Sequence, residues 1–563
     1  MTQAAPRVTV AGTAPARSGL VLIALILAAG VANLNLSVAN VALPSIGHDF
    51  DASQTALNLV AVGFSLGLAG SVLYLGALGD RHGRKRMLVL GLVLSIPAAL
   101  LASLAPSVEV LFVARLVGGV AAGMAYPTTL SLITALWSGP RRIAAIALWS
   151  GLGGAISALG PLASGWLLGQ FHWGSVFLMT IPLAAVTLVL VLIVVPAKVN
   201  EGRDPVDNLG GVLSIVMVTS LVLAINFAAV PGAGVFSLVL AGIAVLGGAG
   251  FVLRQRRAAH PLYDLRIARR RPFWVAAVGG IIVFGSLMGA MYVGQLFLQN
   301  VLGYTALEAG ASILPAAVLM VLASPLSSRL IARFGARIVF LIGFACCLLA
   351  FLTMYLFWDV GSPFWPVGLG YALIGLGVGI AGPPASRSLT DSVPVTRAGM
   401  ASGTSDLQRD LGGSIMQSVL GAILTAGYAA ATAAAISSAP ASVQTQITSE
   451  VQAQLQKSFD GAVAIAQQHP QYADAIVAAA RQSFLDGADW AYATGMLTML
   501  VGALLVLVFY PRKAREHELF AEYARADARV AEVAEAEPGV TAASGAEPGS
   551  AGGAGRSSER TGE

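Results

Sequence analysis

Ionisable side chains inside an apolar run are the residues of this sequence that could carry chemistry. Asp406 and Asp410 lie four residues apart with Arg409 beside them in the run 404–430. Residues four apart share one face of a helix, and two close acids beside a cation could take up and release a proton near neutral pH. The pattern indicates a proton-coupling site. A static Asp/Arg network at the cytoplasmic mouth of a bundle is the alternative.

Signatures of enzymes and nucleotide-driven pumps are missing from the sequence. Six histidines are scattered, no nucleophile stands beside a base, and no G-x-x-x-x-G-K phosphate loop occurs. The two cysteines, Cys346 and Cys347, are adjacent in an apolar run, so we expect neither a disulfide nor a metal site. We predict that the chain is no enzyme, needs no cofactor and binds no nucleotide.

The elements that must position these residues are membrane-spanning helices. The 563 residues are 56% hydrophobic and 11% charged, whereas soluble domains are about 45–50% apolar and about 25% charged. A soluble enzyme and a disordered protein are therefore excluded. Apolar runs long enough to span a bilayer, which takes about 20 residues, are predicted at 19–43, 57–79, 87–105, 109–134, 143–168, 175–196, 208–230, 234–254, 273–298, 308–330, 337–357, 364–386, 404–430 and 488–510.

Basic residues alternate between the loops that join these fourteen runs. Every second loop carries Lys or Arg, and the others carry none before Lys457 and Arg481. Short basic loops are cytoplasmic, so an even number of spans places both termini inside. The net charge of +5 thus reflects orientation, and we expect no nucleic-acid partner. The first run exceeds a signal-peptide core of about 7–15 residues, so we expect a retained span.

One basic loop has a specific residue order, Gly76-Ala-Leu-Gly-Asp80-Arg81-His82-Gly83-Arg84-Lys85-Arg86. Gly76 and Gly83 permit close helix approach and a tight turn, and Asp80 can pair with a basic group or a helix N-terminus across the bundle. A plain positive-inside loop would not demand this order. The stretch resembles the loop signature of the major facilitator superfamily, which implies a conformational role for Gly76, Asp80, Arg81, Gly83 and Arg84.

Arg115 with Gly118, Gly119 and Gly123 is similar to the buried-arginine motif of that superfamily, with Gly118 in place of its usual glutamine. An arginine inside a span is costly unless it is paired or hydrated, so Arg115 is a functional candidate. The alternative is snorkelling to the outer surface near Glu109.

The fifth span resembles the Gly-Pro motif of exporters in the superfamily, with Ser164 in place of one glycine. Proline bends the helix and glycines give it a smooth packing face. The resemblance implies antiport-type export, with the motif at Gly154, Gly160, Pro161 and Gly165.

Segments across about residues 19–510, among them Asn40-Val-Ala-Leu-Pro44 and Arg409-Asp-Leu-Gly-Gly413, resemble the fourteen-span drug–proton antiporter branch of EmrB/QacA type. The resemblance implies an all-α fold with six-helix bundles at 19–196 and 273–510, two extra helices at 208–254, and a substrate path near the midplane. The tail 1–18 and the partly disordered tail 511–563 are then cytoplasmic, and the loop 431–487 is an external, partly helical excursion.

One position departs from that branch. Where its members commonly have an acid in the first span, this chain has Asn35, and an amide cannot exchange a proton near neutral pH. Asn35 is a candidate for the substrate path, and proton coupling requires another carboxylate, for which Asp406 and Asp410 are the available pair.

The predicted function is export of a lipophilic small molecule across a bacterial cytoplasmic membrane by alternating access and proton antiport. The expected partners are that substrate, protons and the lipid bilayer, and the expected state is a monomer. One alternative is a facilitator, or a lipid or metabolite exporter, without strict proton coupling. Another is a membrane scaffold or sensor whose effector is the C-terminal tail.

Overall fold

Every regular element is a helix in the part of the chain that the computed structural model describes, namely residues 17–52, 54–197, 199, 205–228, 233–439, 444 and 447–536. Fourteen helical segments are long and apolar enough to cross a membrane. They overlap the fourteen predicted runs one for one, which confirms an all-α polytopic membrane fold. Most of the N-terminal tail, the end of the C-terminal tail, Lys198 and Arg203 lie outside the described residues.

Seven helices form the first six spans. They are α1 (Ser18–Phe50), α2 (Gln54–His82), α3 (Arg84–Ser103), α4 (Val108–Leu136), α5 (Gly139–Leu168), and α6 (Ser175–Leu178) with α7 (Thr180–Val194), which share a span. Helix α4 packs against both α2 and α3, and α1 packs against α5. Buried side chains such as Leu25, Phe64 and Trp149 join them in one apolar core. We call these helices the N bundle.

Two helices follow the N bundle, α8 (Asn208–Ala228) and α9 (Gly234–Arg257). They pack against each other, and α8 also packs against α2. Only 22% of the most apolar stretch of helix α9 is buried inside the structure. Its outward side chains, including Leu238 and Leu246 at 74% and 75% exposure, are therefore the kind of surface that faces lipid.

The remaining helices form the second half of the molecule. They are α10 (Leu265–Ala268), α11 (Arg271–Leu296) with a π-helical turn at Phe297–Val301, α12 (Ala306–Ala311), α13 (Leu314–Phe334), α14 (Ala336–Phe357), α15 (Phe364–Asp391), α16 (Ala398–Ser438), α17 (Ser449–Lys457), α18 (Phe459–Gln468), α19 (Ala473–Phe509) and α20 (Lys513–Ala536). Helices α11, α13, α14, α15, α16 and α19 share a second large apolar core. We call these six helices the C bundle.

Helices α16 and α19 continue beyond the length that a bilayer requires and carry a small helical layer. Leu455, Ala462, Ile465 and Ala480 pack together in it. Tyr428 of α16 donates its hydroxyl to the carbonyl of Leu455 over 3.1 Å. This layer occupies most of the predicted excursion 431–487.

The two ends of the molecule differ in charge. Arg81, Arg142, Arg270 and Arg333 lie near the ends of spans that meet on one side, which we call the basic end. At the opposite end, Asp49 accepts hydrogen bonds from Trp173 Nε1 over 2.8 Å and from His172 over 3.2 Å. These donors hold the pKa of Asp49 below its usual range.

The C-terminal helix α20 is docked on the basic end of the C bundle. Its Glu516, 2% exposed, accepts a hydrogen bond from the backbone N–H of Ala336 at the start of α14. Arg270 donates two hydrogen bonds to Asp527 of α20, over 3.0 and 2.6 Å. Burial raises the pKa of Glu516. The first part of the predicted tail 511–563 is thus a helix packed against the rest of the structure.

Candidate functional site

The motif Gly76–Arg86, which covers the end of α2 and the start of α3, joins the two bundles at the basic end. Asp80 Oδ2 accepts the backbone N–H of Gly399, the second residue of α16, over 2.6 Å. Asp80 Oδ1 accepts from Arg84 Nε over 3.0 Å. The sequence-based expectation that Asp80 pairs with a basic group or a helix N-terminus is confirmed on both counts, and a negative charge at that N-terminus is favourable.

The glycines and second arginine of this motif complete the junction. Gly83 has φ 112°, a backbone conformation that side chains disfavour, and it forms the turn into α3. A Cβ on Gly76 would lie 3.0 Å from the carbonyl oxygen of Gly399, so the two helices touch there. Arg84, 1% exposed, donates to the carbonyl of Val395 over 2.6 Å, whereas Arg81 is exposed.

A second junction at the basic end was missed by the sequence analysis. Arg142, near the start of α5, forms an ion pair with Asp391, the last residue of α15. Arg387, one turn earlier, donates to the same carboxylate over 2.9 Å. The sequence shows Arg142 only as one of several loop arginines, and its partner lies 249 residues away. The basic end is closed by both junctions.

Arg115 lies inside the N bundle with 2% exposure, so the snorkelling alternative is wrong. Its Nη1 donates to the carbonyl of Asn35 over 2.6 Å. Its guanidinium lies 5.0 Å from the ring centre of Phe64 and 5.8 Å from that of Phe177. Nε and Nη2 of Arg115 have no hydrogen-bond partner among the described residues.

Asn35 does not direct its amide toward Arg115. Its Nδ2 donates instead to the carbonyl of Val31, one turn back on α1, over 3.0 Å. Asn35 also lines a small apolar pocket within the N bundle, together with Phe64 and Ser95.

The glycines of α5 face two different neighbours. A Cβ on Gly154 would lie 2.7 Å from Met320 Cε of α13, and one on Gly165 would lie 3.7 Å from Leu307. A Cβ on Gly160 would instead crowd Ser37 of α1, with Ser37 Cβ at 3.1 Å. Pro161 lies within the helix. The smooth face of α5 therefore packs against the C bundle as well as within its own.

Asp406 is buried in α16 at 1% exposure, about two turns after Gly399. Neither of its carboxylate oxygens has a hydrogen-bond partner in the described residues, and Asp410 Oδ2 has none either. Arg409, between them in sequence, directs its hydrogen bonds to the N bundle, to Tyr126 Oη over 2.5 Å and to Ser150 Oγ over 3.3 Å. Within the described residues, Arg409 therefore donates no hydrogen bond to Asp406.

Three aromatic rings surround the Arg409 guanidinium. Its central carbon lies 4.8 Å from the ring of Trp149, 4.6 Å from that of Phe284 and 5.7 Å from that of Tyr126. Asn33 contributes to the same cluster, because its Nδ2 contacts Tyr126 Oη at 3.5 Å and the carbonyl of Gly153 at 2.9 Å. None of these partners of Arg409 is predicted from the sequence above, although polar and aromatic residues inside spans are a usable signal.

This cluster joins the two bundles inside the apolar part of the molecule. It combines a cation, two carboxylates and three rings, one of which is the phenol of Tyr126. Carboxylates can hold a proton, and aromatic rings can hold a cation. No group of three or more His, Cys, Asp or Glu that could hold a metal ion occurs within the described ranges.

Most of the chain is similar to a known family and to proteins of that family. The model of the Major Facilitator Superfamily matches residues 25–417. Multidrug resistance protein Stp of Mycobacterium tuberculosis is 33% identical over 384 residues, which cover 68% of this chain and 71% of that protein. Multidrug efflux pump LfrA of Mycolicibacterium smegmatis is 32% identical over 400 residues, 71% of this chain and 79% of that protein.

A solved structure has the same fold. The human organic anion transporter MFSD10 (TETRAN) aligns with a TM-score of 0.56 over 87% of this chain and 100% of that chain, at 14% identity. Together with the fourteen spans, these matches confirm a multi-pass membrane transporter rather than an enzyme. The chain belongs to the Major Facilitator Superfamily.

Proposed function

We propose that the chain exports lipophilic small molecules across the bacterial cytoplasmic membrane in exchange for protons. The relatives named as multidrug resistance and efflux proteins support drug export. The basic end, with its Lys and Arg loops, is the cytoplasmic side by the positive-inside rule, so both termini are cytoplasmic. The protein works by alternating access, and we take the arrangement here, in which both junctions join the bundles at the basic end, as the one closed to the cytoplasm.

The observation that carries proton coupling is the Asp406 carboxylate, which is buried between helices and has no hydrogen-bond donor among the residues that the structure describes. Such a group is costly when charged and far less costly when protonated, which is the behaviour that proton exchange requires. Asp410, one turn away, supplies a second carboxylate, and the pair titrates as a unit. Both lie on α16, whose first turn forms the closed junction with Asp80.

One observation favours an uncoupled facilitator as the second candidate. The first span carries Asn35 beside Arg115, so no carboxylate stands at that position of the N bundle. If proton exchange in this fold required an acid there, the chain would move its substrate without a proton.

The test is transport of a panel of lipophilic dyes and antibiotics in inverted vesicles with and without a pH gradient. Wild type is compared with Asp406→Asn, Asp410→Asn and Asn35→Asp. The control is Asp460→Asn, the same chemical change at an exposed residue of α18. We expect gradient-driven flux in wild type and in the control, and its loss in either α16 variant.

Two results would contradict proton coupling at α16. One is gradient-driven flux that survives both Asp406→Asn and Asp410→Asn. The other is wild-type flux that ignores the gradient and responds to it only after Asn35→Asp, which would select the facilitator.

A further inference from the structure

The guanidinium of Arg409 lies in a box of aromatic rings that both halves of the molecule build. Tyr126 of α4 and Trp149 of α5 belong to the N bundle, and Phe284 of α11 belongs to the C bundle. The rings of Tyr126 and Trp149 lie 5.6 Å apart, and Trp149 Nε1 donates to Thr129 Oγ1 over 2.9 Å, which fixes its ring. We call Tyr126, Trp149 and Phe284 the aromatic box.

The position of Arg409 is notable because acids are available on its own helix. Asp406 lies three residues before it, a spacing at which side chains meet on a helix, yet both Asp406 oxygens lack a hydrogen-bond partner within the described residues. The guanidinium turns to the rings and to the hydroxyls of Tyr126 and Ser150 instead. The long, flexible side chain of Arg409 can therefore occupy two positions, one in the aromatic box and one beside the carboxylates.

We propose that the aromatic box is a subsite for the cationic group of a substrate and that Arg409 is its resident occupant, displaced toward Asp406 and Asp410 when substrate binds. This inference rests on the proposed export function, and it adds the place in the fold where the cationic group of a substrate binds and the side chain that it must displace. The negative faces of the rings attract a cation. A neutral compound gains no such attraction and would not repay the displacement.

Displacement from the aromatic box does not leave the buried guanidinium of Arg409 without a partner. In the described part of the chain, Asp406 and Asp410 have oxygens without a hydrogen-bond partner on the same helix, so the guanidinium exchanges ring contacts for charge-assisted hydrogen bonds. The box also draws its rings from both bundles, so its geometry changes when the bundles rock. Emptying the site after a bundle movement lets Arg409 return to the rings, which keeps the released substrate from rebinding.

The experiment measures binding alone, without a membrane or a gradient. Ethidium, a flat aromatic cation, is titrated with the purified full-length protein in detergent, and its fluorescence anisotropy gives Kd. Arg409→Gln empties the box, so we expect ethidium to bind about fivefold more tightly than to wild type. Trp149→Leu and Phe284→Leu remove ring faces, so we expect about tenfold weaker binding.

A double variant separates displacement from long-range charge. In the Trp149→Leu background the box is already broken, so Arg409→Gln should give no gain. If removal of a positive charge acted only through space, the gain would persist there. The matched control is Arg333→Gln, which removes a guanidinium 5.2 Å from the ring of Phe334 at the exposed basic end and should leave Kd unchanged. Uncharged dihydroethidium, added as competitor, should displace ethidium poorly.

Several outcomes would overturn the inference. They are a folded Arg409→Gln protein that binds ethidium no more tightly than wild type, a gain that survives Trp149→Leu, equal competition by dihydroethidium, and no ethidium binding by any variant. Unfolding temperatures establish that each variant is folded. The proposed proton coupling is tested separately, in vesicles. Vesicle flux that does not depend on the pH gradient would contradict proton coupling, but it would not change the ethidium affinities measured here.

Discussion

Gly399 donates its backbone N–H to Asp80 across 2.6 Å, and the two residues lie 319 positions apart in the two halves of the molecule. The bond places a carboxylate of the second span at the N-terminus of α16, the helix that also carries Asp406 and Arg409. One contact thus connects closure of the basic end with the helix of the interior cluster.

We expect Asp80→Asn to open the basic end more often. The amide cannot neutralise Arg84, which is 1% exposed, and removing one partner of a buried ion pair costs about 3–5 kcal/mol. Because the Asp80 carboxylate also accepts the N–H of Gly399 at the start of α16, the substitution destabilises the closed arrangement in which this contact exists. Electron–electron distance measurements between spin labels at 86 and 333 should show a larger population of long distances.

The control for Asp80→Asn is Asp49→Asn, which removes a hydrogen-bonded carboxylate at the opposite end. It should leave the distances at the basic end unchanged. An Asp80→Asn distance distribution identical to that of wild type would show that the bond with Gly399 does not hold this end closed.

We expect Arg142→Gln to open the same end to a smaller extent. Arg142 has a side chain 23% exposed, so its pair with Asp391 is partly screened and contributes about 1 kcal/mol. Arg387→Gln is the matched control, because it removes the other partner of Asp391 within a single helix. Equal opening by both variants, in the same spin-label measurement, would contradict a specific role for the contact between bundles.

The sequence predicts those parts of the molecule that depend on local composition. All fourteen spans follow from hydropathy, because a bilayer demands about 20 apolar residues regardless of tertiary packing. The kind of partner that Asp80 takes also follows, since a buried carboxylate needs a cation or a helix N-terminus.

Contacts made by distant segments do not follow from the sequence. The acids beside Arg409 in sequence indicate a proton-coupling site or an Asp/Arg network, but rings from α4, α5 and α11 determine where its side chain lies. Arg142 meets a residue 249 positions away, and α20 docks through Glu516 and Asp527 although its charged sequence is typical of a solvated helix. Such pairings depend on how the bundles meet.

We expect Asn35→Asp to raise the unfolding temperature in detergent. Two nitrogens of Arg115 lack a hydrogen-bond partner within the described part of the chain, and a carboxylate at 35 would be repelled by the carbonyl of Val31 and turn to them. Hydrogen bonds to charged groups contribute about 1.5–3 kcal/mol. The gain should vanish in an Arg115→Gln background, and a similar change in both backgrounds would exclude the pairing.

We expect Glu516→Gln to change the pH dependence of α20 docking. Burial raises the pKa of Glu516, and the positive charge of Arg387 only partly offsets this. A raised pKa in the docked state means that docking binds the proton more tightly, so the stabilisation is complete below the usual glutamate range of about 4.3 and is lost as pH rises through the raised pKa. The glutamine can still accept the N–H of Ala336 but carries no charge.

Hydrogen–deuterium exchange of the α20 amides measures this docking. At alkaline pH, Glu516→Gln should exchange more slowly than wild type, and the difference should shrink as the pH is lowered, because wild type then holds more of the proton. Glu518→Gln is the control, because its side chain is 62% exposed on the same helix. Its exchange ratio to wild type should not depend on pH. A Glu516→Gln ratio that is equally flat would mean that the buried carboxylate does not control docking, and that Arg270 with Asp527 holds the helix in place at every pH.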